Sequence, residues 1–94
     1  MKIEWSTGAL ADLDRFEEFL RGQYPHLAPI VAKAITDAAR VLEEHPKLGQ
    51  SIAGRVEYRQ MVLRVLNARY IFQYRYDGVR LVILRVFHSR EQRT

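Results

Sequence analysis

The stretch that decides the fold is YIFQYRYDGVRLVILRVFH, residues 70–88. It holds two apolar runs rich in β-branched and aromatic residues, interrupted once by Asp77-Gly78. Such runs suit the half-buried surface of a sheet, and Asp-Gly accepts the positive φ of a tight hairpin turn. With a two-residue loop, Tyr76 faces Val79. One turn earlier, Asn67-Ala68 makes a second loop of the same length, less secure because Ala68 resists positive φ, and Leu66 then faces Arg69. Side chains alternate along a strand, so this register sorts them onto two faces. Met61, Leu63, Val65, Tyr70, Phe72, Tyr74, Leu81, Ile83 and Phe87 share the first. Arg59 and Arg85 also fall there, Arg59 near the margin and Arg85 with its head directed to a helix acid or an aromatic ring. The opposite face takes Tyr58, Gln60, Val62, Arg64, Arg69, Ile71, Gln73, Arg75, Arg80, Val82, Leu84, Val86 and His88.

Outward from this sheet, the rest of the chain supplies one strand and two helices. Met1, Ile3 and Trp5 alternate with Lys2 and Glu4, a strand pattern. Ser6 or Thr7 can cap a helix, and Leu10, Leu13, Phe16, Leu20 and Tyr24 form its apolar stripe. Asp12, Asp14, Glu17, Glu18 and Arg21 occupy its other side, Glu17 and Arg21 at ion-pair spacing. Pro25 ends that helix, and Pro29 falls in the first turn of the next, where a missing amide is harmless. Leu27, Val31, Ala34, Ile35, Ala38, Val41 and Leu42 make the second stripe, closed by Pro46 and Gly49. Residues 47–55 read as a loop. The expected architecture is one α+β domain over 1–94, β-α-α-β-β-β, with a helical hairpin on one face of a mainly antiparallel four-stranded sheet.

Charge is divided as sharply as the elements. From Lys47 to Thr94 there are ten basic and three acidic side chains, against five basic and eight acidic from Met1 to Pro46. The whole chain carries +4 over 94 residues. Exposed ion pairs contribute little to stability, whereas guanidinium forks suit phosphate, carboxylate or an acidic partner. The open face of the sheet has an aliphatic middle (Val62, Ile71, Val82, Leu84) and a rim of arginine and glutamine, and no third helix remains to cover it. Gln60, Val62, Arg64, Arg69, Ile71, Gln73, Arg75, Arg80 and Leu84 are therefore the candidate partner-binding residues. With no cysteine in the chain, disulfides and thiolate metal sites are excluded and a reducing, cytoplasmic setting is expected. No histidines stand at metal-ligand spacing, the Lys47–Arg55 segment lacks phosphate-loop spacing, and no cofactor or membrane anchor is expected.

The ordered set of motifs resembles the RelE/ParE superfamily of toxins from type II toxin–antitoxin pairs. The matching pieces are Ile3-Glu4-Trp5-Ser6 with Ala9-x-x-Asp12-Leu13, His45-Pro46-x-x-Gly49, Gly54-Arg55-Val56-Glu57-Tyr58-Arg59, residues 70–75, and the closing run from Val79 into His88-Ser89-Arg90-Glu91. The resemblance implies a growth-inhibiting toxin whose working surface is the polar face of the sheet. It also implies a cognate antitoxin that folds an acidic or amphipathic segment around it, with a homodimer or a toxin–antitoxin hetero-oligomer as the assembly.

Two activities follow from that resemblance. ParE-like members inhibit DNA gyrase without breaking a bond. RelE-like members cut mRNA on the ribosome, with no metal. Self-cleavage of RNA needs a base for the 2′-OH, cations on the phosphate and a donor to the leaving oxygen. For a nuclease the candidates are His88 as base or acid, with Arg69 and Arg90 as cations. RelE-like enzymes place an arginine just after the tyrosine of the third strand, where this chain has Ile71 after Tyr70, and some carry a catalytic tyrosine in a tail beyond the last strand. The ParE-like reading is preferred, the ribosome-dependent endonuclease stands second, and a non-toxic binding module third. The aromatic residues fall on the expected core face, away from the exposed arginines, which disfavours base stacking by nucleic acid.

Overall fold

A computed structural model describes residues 2–89 of the chain. Strand β1 (Ile3–Trp5) leads into helix α1 (Thr7–Gln23), a 3₁₀ turn at Pro25–Leu27 and helix α2 (Ala28–Glu44). Strands β2 (Gln50–Ile52), β3 (Arg55–Val65), β4 (Ala68–Tyr76) and β5 (Leu81–His88) follow. They form one sheet in the order β1-β5-β4-β3-β2, antiparallel except for the parallel pair β1 and β5. The α+β class and the hairpin on one face agree with the sequence reading. The strand number does not: the segment 47–55, expected as a loop, contributes β2, making five strands.

The core lies between the hairpin and one face of the sheet. Phe72, Tyr74, Leu81 and Ile83 are fully buried there, against Phe16 and Leu20 of α1 and Val31, Ile35, Ala38, Ala39 and Leu42 of α2. Trp5 packs edge-on against Phe72, ring centroids 6.4 Å apart. The helical stripes are rotated slightly from expectation. Leu10, Tyr24 and Val41 stay largely exposed, and Ala9 and Ala39 replace them because small side chains allow the helices to approach the sheet closely.

Neither tight turn closes on the expected pair: β3–β4 keeps a two-residue loop, one position earlier, and β4–β5 takes a longer one. In β3–β4 the closing pair is Val65↔Ala68, so Leu66 and Asn67 form the turn, and Leu66 itself takes the positive φ of 56°. In β4–β5 the pair is Tyr76↔Leu81, across a four-residue loop. There the Asp77 carboxylate accepts from the amides of Val79 (2.9 Å) and Arg80 (2.8 Å), widening the turn, while Gly78 supplies φ 97°. Those two amides also hold the Asp77 carboxyl below its ordinary range. Each pairing is displaced by two residues, an even slip that leaves the faces unchanged.

An odd slip occurs in β5. Tyr74 pairs with Ile83 but Gln73 pairs with Arg85, leaving Leu84 as the extra residue of a bulge. Beyond it the alternation reverses. Val86 and His88, expected on the open face, turn toward the helices, and Val86 is fully buried. Phe87 and Arg85, expected on the core face, leave it.

The cause is α1, which runs along the outer edge of β5. The Ser6 hydroxyl donates to the Leu84 carbonyl at 2.7 Å and accepts from the Ala9 amide as the helix cap. Asp12, expected on the solvent side, is 1% exposed. It accepts the Val86 amide at 2.8 Å, both Nε (2.8 Å) and Nη2 (3.0 Å) of Arg85, and Nη1 of Arg15 at 2.9 Å. Burial pushes the Asp12 carboxyl up, but these bonds outweigh it and hold it below its ordinary value. The Arg85 head does meet a helix acid, as foreseen, although it reaches it around the strand edge rather than through the core.

Behind β3, the buried Tyr74 phenol donates to the Pro46 carbonyl (2.7 Å) and accepts the Gly49 amide (2.9 Å). Arg59 emerges at the margin and donates to the carbonyls of Lys47 and Gly49. Position 49 must be glycine in this arrangement, since a Cβ would stand 2.8 Å from the Tyr74 oxygen and 2.9 Å from the Gln60 carbonyl.

Candidate partner-binding face

On the face away from the helices, side chains from β3, β4 and β5 fall into rows across the strands. Val62 and Phe87 are each the cross-strand partner of Ile71, one on either side of it. On one side of this apolar row lie Arg64 and Arg69, directly opposite one another. On its other side Gln60 and Gln73 pair, the Gln73 amide donating to the Gln60 oxygen at 3.4 Å. A further row holds Tyr58, Arg75 and Val82, and Leu84 sits half-buried at the bulge.

The arginines of this face are not equivalent. Arg75 donates through Nη2 to both Glu57 carboxylate oxygens at 3.0 Å and stands 3.6 Å from Asp77. Arg80 forms a two-pronged pair with Glu4, Nε at 2.8 Å and Nη2 at 2.7 Å. The hydrogen bonds with Arg80 hold the Glu4 carboxyl below its ordinary range, and Glu4 in turn raises the arginine. Arg85 is committed to Asp12 and lies over the Phe87 ring at 5.0 Å. Among the described residues, nothing pairs with the guanidinium of Arg64 or Arg69, and both are exposed. Like charges directly opposite across two strands are destabilising. The cationic character read from the sequence over four arginines thus concentrates on two.

The remaining candidates are dispersed. The His88 ring packs on the helix side, edge-on to Tyr70 at 4.9 Å and 6.1 Å from Phe16. Arg69 projects from the other face of the sheet, so these two nuclease candidates are not brought together. Arg90 lies outside the described residues. No group of three or more His, Asp or Glu among the described residues could hold a metal ion, and no described helix is long and apolar enough to cross a membrane.

Two features escaped the sequence. Phe87 joins the open face because of the bulge, for which the alternating pattern of β5 carries no signal. A cleft of about 630 Å³ also opens on the helix side, lined by Phe16, Phe19, Leu27, Leu66, Tyr70 and His88 among others. The exposed Phe19 was the available hint for it.

A sequence profile for the family described as "ParE toxin of type II toxin-antitoxin system, parDE" matches residues 3–93. Among proteins with curated descriptions, none matches significantly. The fold is similar to a structure titled "Chromosomal ParDE TA system from P. aeruginosa", with TM-score 0.73, 22% identity, and 92% of each chain covered. It is also similar to "YoeB/ParE toxin from Agrobacterium tumefaciens", with TM-score 0.53, 20% identity, and 92% of this chain and 95% of that one covered.

Proposed function

Since the chain belongs to the ParE toxin family of type II toxin–antitoxin systems, we propose that it arrests growth by binding DNA gyrase in the cytoplasm. It breaks no bond of its own, and a cognate antitoxin silences it. The open face of the sheet, centred on Arg64, Arg69, Ile71 and Val62, is the surface through which it works. The observation carrying the non-enzymatic part is the separation of His88 from Arg69 by the thickness of the sheet. RNA self-cleavage requires a base and a cation converging on one phosphate, and Ile71 occupies the place where nuclease relatives carry a further arginine.

A supercoiling reaction with purified gyrase tests the proposal. Loss of supercoiling on adding the protein is expected, and its loss should disappear with Arg64→Glu/Arg69→Glu. Full supercoiling at micromolar protein sinks the gyrase reading. Cut A-site codons in toeprints of translating ribosomes would replace it with the nuclease. Induction in cells lacking the antitoxin should halt growth; undisturbed growth would leave a binding module.

A further inference from the structure

Resting on the reading of the open face as the surface that acts on gyrase, we infer that this face touches duplex DNA directly, the segment that gyrase holds. The phosphates of one DNA strand lie on Arg64 and Arg69, and the sugars beside them lie on Val62, Ile71 and Phe87. Directly opposite one another on β3 and β4, the two arginines have Cβ atoms about 4.5–5.5 Å apart, a like-charged pairing that destabilises the sheet. Among the described residues no carboxylate relieves it: Glu4, Asp12 and Glu57 are taken by Arg80, Arg85 and Arg75. A rigid polyanion does relieve it. Each strand of the duplex carries one charge per about 3.4 Å of axis, so both guanidinium forks meet phosphate at once.

The rest of the face agrees with this placement. The apolar row runs beside the arginines, two residues further along the strands, or about 7 Å away. It crosses three strands, about 10 Å, and offers carbon surface to deoxyribose rings, which require no hydrogen bond there. On its far side the Gln60–Gln73 row continues to Arg85, whose head lies over the Phe87 ring. Asp12 balances that charge, so the net attraction for a polyanion comes from Arg64 and Arg69. The acids Glu4, Glu57 and Asp77 gather at the opposite end of the face, around Arg75 and Arg80, and leave the arginine pair clear of competing carboxylates.

A single-stranded nucleic acid fits less well, because it requires successive flat rings between cations. Phe87 is the one ring in the apolar row, and Tyr58, in another row, already has the Arg55 guanidinium 5.4 Å from its centre. A duplex keeps its bases stacked on one another and asks of the protein only cations for its phosphates and a surface for its sugars.

The test is photocrosslinking from the face itself. Phe87→p-benzoylphenylalanine in the full chain places there a group that, on irradiation, inserts into nearby C–H bonds. With purified gyrase and a labelled duplex, crosslinks to the DNA are expected, and Arg64→Gln/Arg69→Gln should reduce them about tenfold. That pair of substitutions should melt at or above wild type, since it removes a like-charge contact. Without gyrase, fluorescence anisotropy of a short labelled duplex should show binding that weakens about 12-fold between about 50 and about 200 mM salt, the dependence for two neutralised phosphates. The glutamine variant should lose that dependence. Four outcomes overturn the inference: crosslinks confined to a gyrase subunit, no duplex binding at low salt, a salt dependence that the glutamine variant keeps, or stronger competition from oligouridylate than from duplex. Supercoiling on the same preparations separates the two claims. Inhibition with crosslinks to protein alone removes this inference and leaves the gyrase reading; crosslinks to DNA without inhibition remove the gyrase reading alone.

Discussion

Replacing Asp12 by alanine should cost about 2–4 kcal/mol of folding free energy, most of it from one amide. The carboxylate is 1% exposed and is the acceptor for the buried Val86 N–H. Leaving such a donor unsatisfied costs about 1–3 kcal/mol. The bonds from Arg85 and Arg15 add less than their geometry suggests, because those side chains remain 47% and 45% exposed. Solvent screening and rehydration of the freed heads limit them to about 1 kcal/mol each at most, and the desolvation cost already borne by the carboxylate offsets part of that. For a domain of this size each kcal/mol moves the melting temperature by about 4–8 °C. The alanine variant should therefore melt about 8–30 °C below wild type, as followed by circular dichroism at neutral pH. Asp12→Asn keeps an acceptor for Val86 and should fall between the two. The pH dependence has a definite sign. The folded carboxyl is held below its ordinary value of 3.8, so its contribution is complete above the unfolded value and is lost as pH falls through the folded one. The gap between wild type and alanine should be constant near neutrality and close in acid below about pH 4. An alanine variant melting within about 3 °C of wild type, or a gap that widens on acidification, would refute the argument.

Three further substitutions probe other parts of the fold. Phe72→Ala, a truncation at the centre of the core, should lose about 3–5 kcal/mol; wild-type melting would take this ring out of the core. Tyr74→Phe removes the acceptor of the Gly49 amide and the donor to Pro46, and should lose about 1–3 kcal/mol in a denaturant titration. An unchanged midpoint would mean that water replaces both bonds. Leu66→Asn should gain about 0.5 kcal/mol, since asparagine tolerates the left-handed conformation that leucine resists. A lower melting temperature would mean that the Leu66 side chain contributes more to the wall of the cleft than its backbone costs.

The sequence by itself determined the two-sided sheet. Alternation through residues 58–83 placed Phe72, Tyr74 and Ile83 under the helices, and Val62, Arg64 and Ile71 opposite them. That assignment survived two misjudged turns because both displacements were even. The helical hairpin was legible from its stripes and prolines, and the basic second half from composition. Only the tertiary structure decided the rest, because each remaining feature depends on groups far apart in the chain. Asp12 is 74 positions from Val86, yet its carboxylate holds the amide just past the bulge that carries Phe87 out of the core and His88 into it. Glu4 and Glu57 similarly neutralise Arg80 and Arg75 across strands. Periodicity reports which residues alternate, but not where a helix edge inserts one residue into the count or which arginine meets an acid. Those are pairwise electrostatic and hydrogen-bonding outcomes, decided when the chain closes on itself.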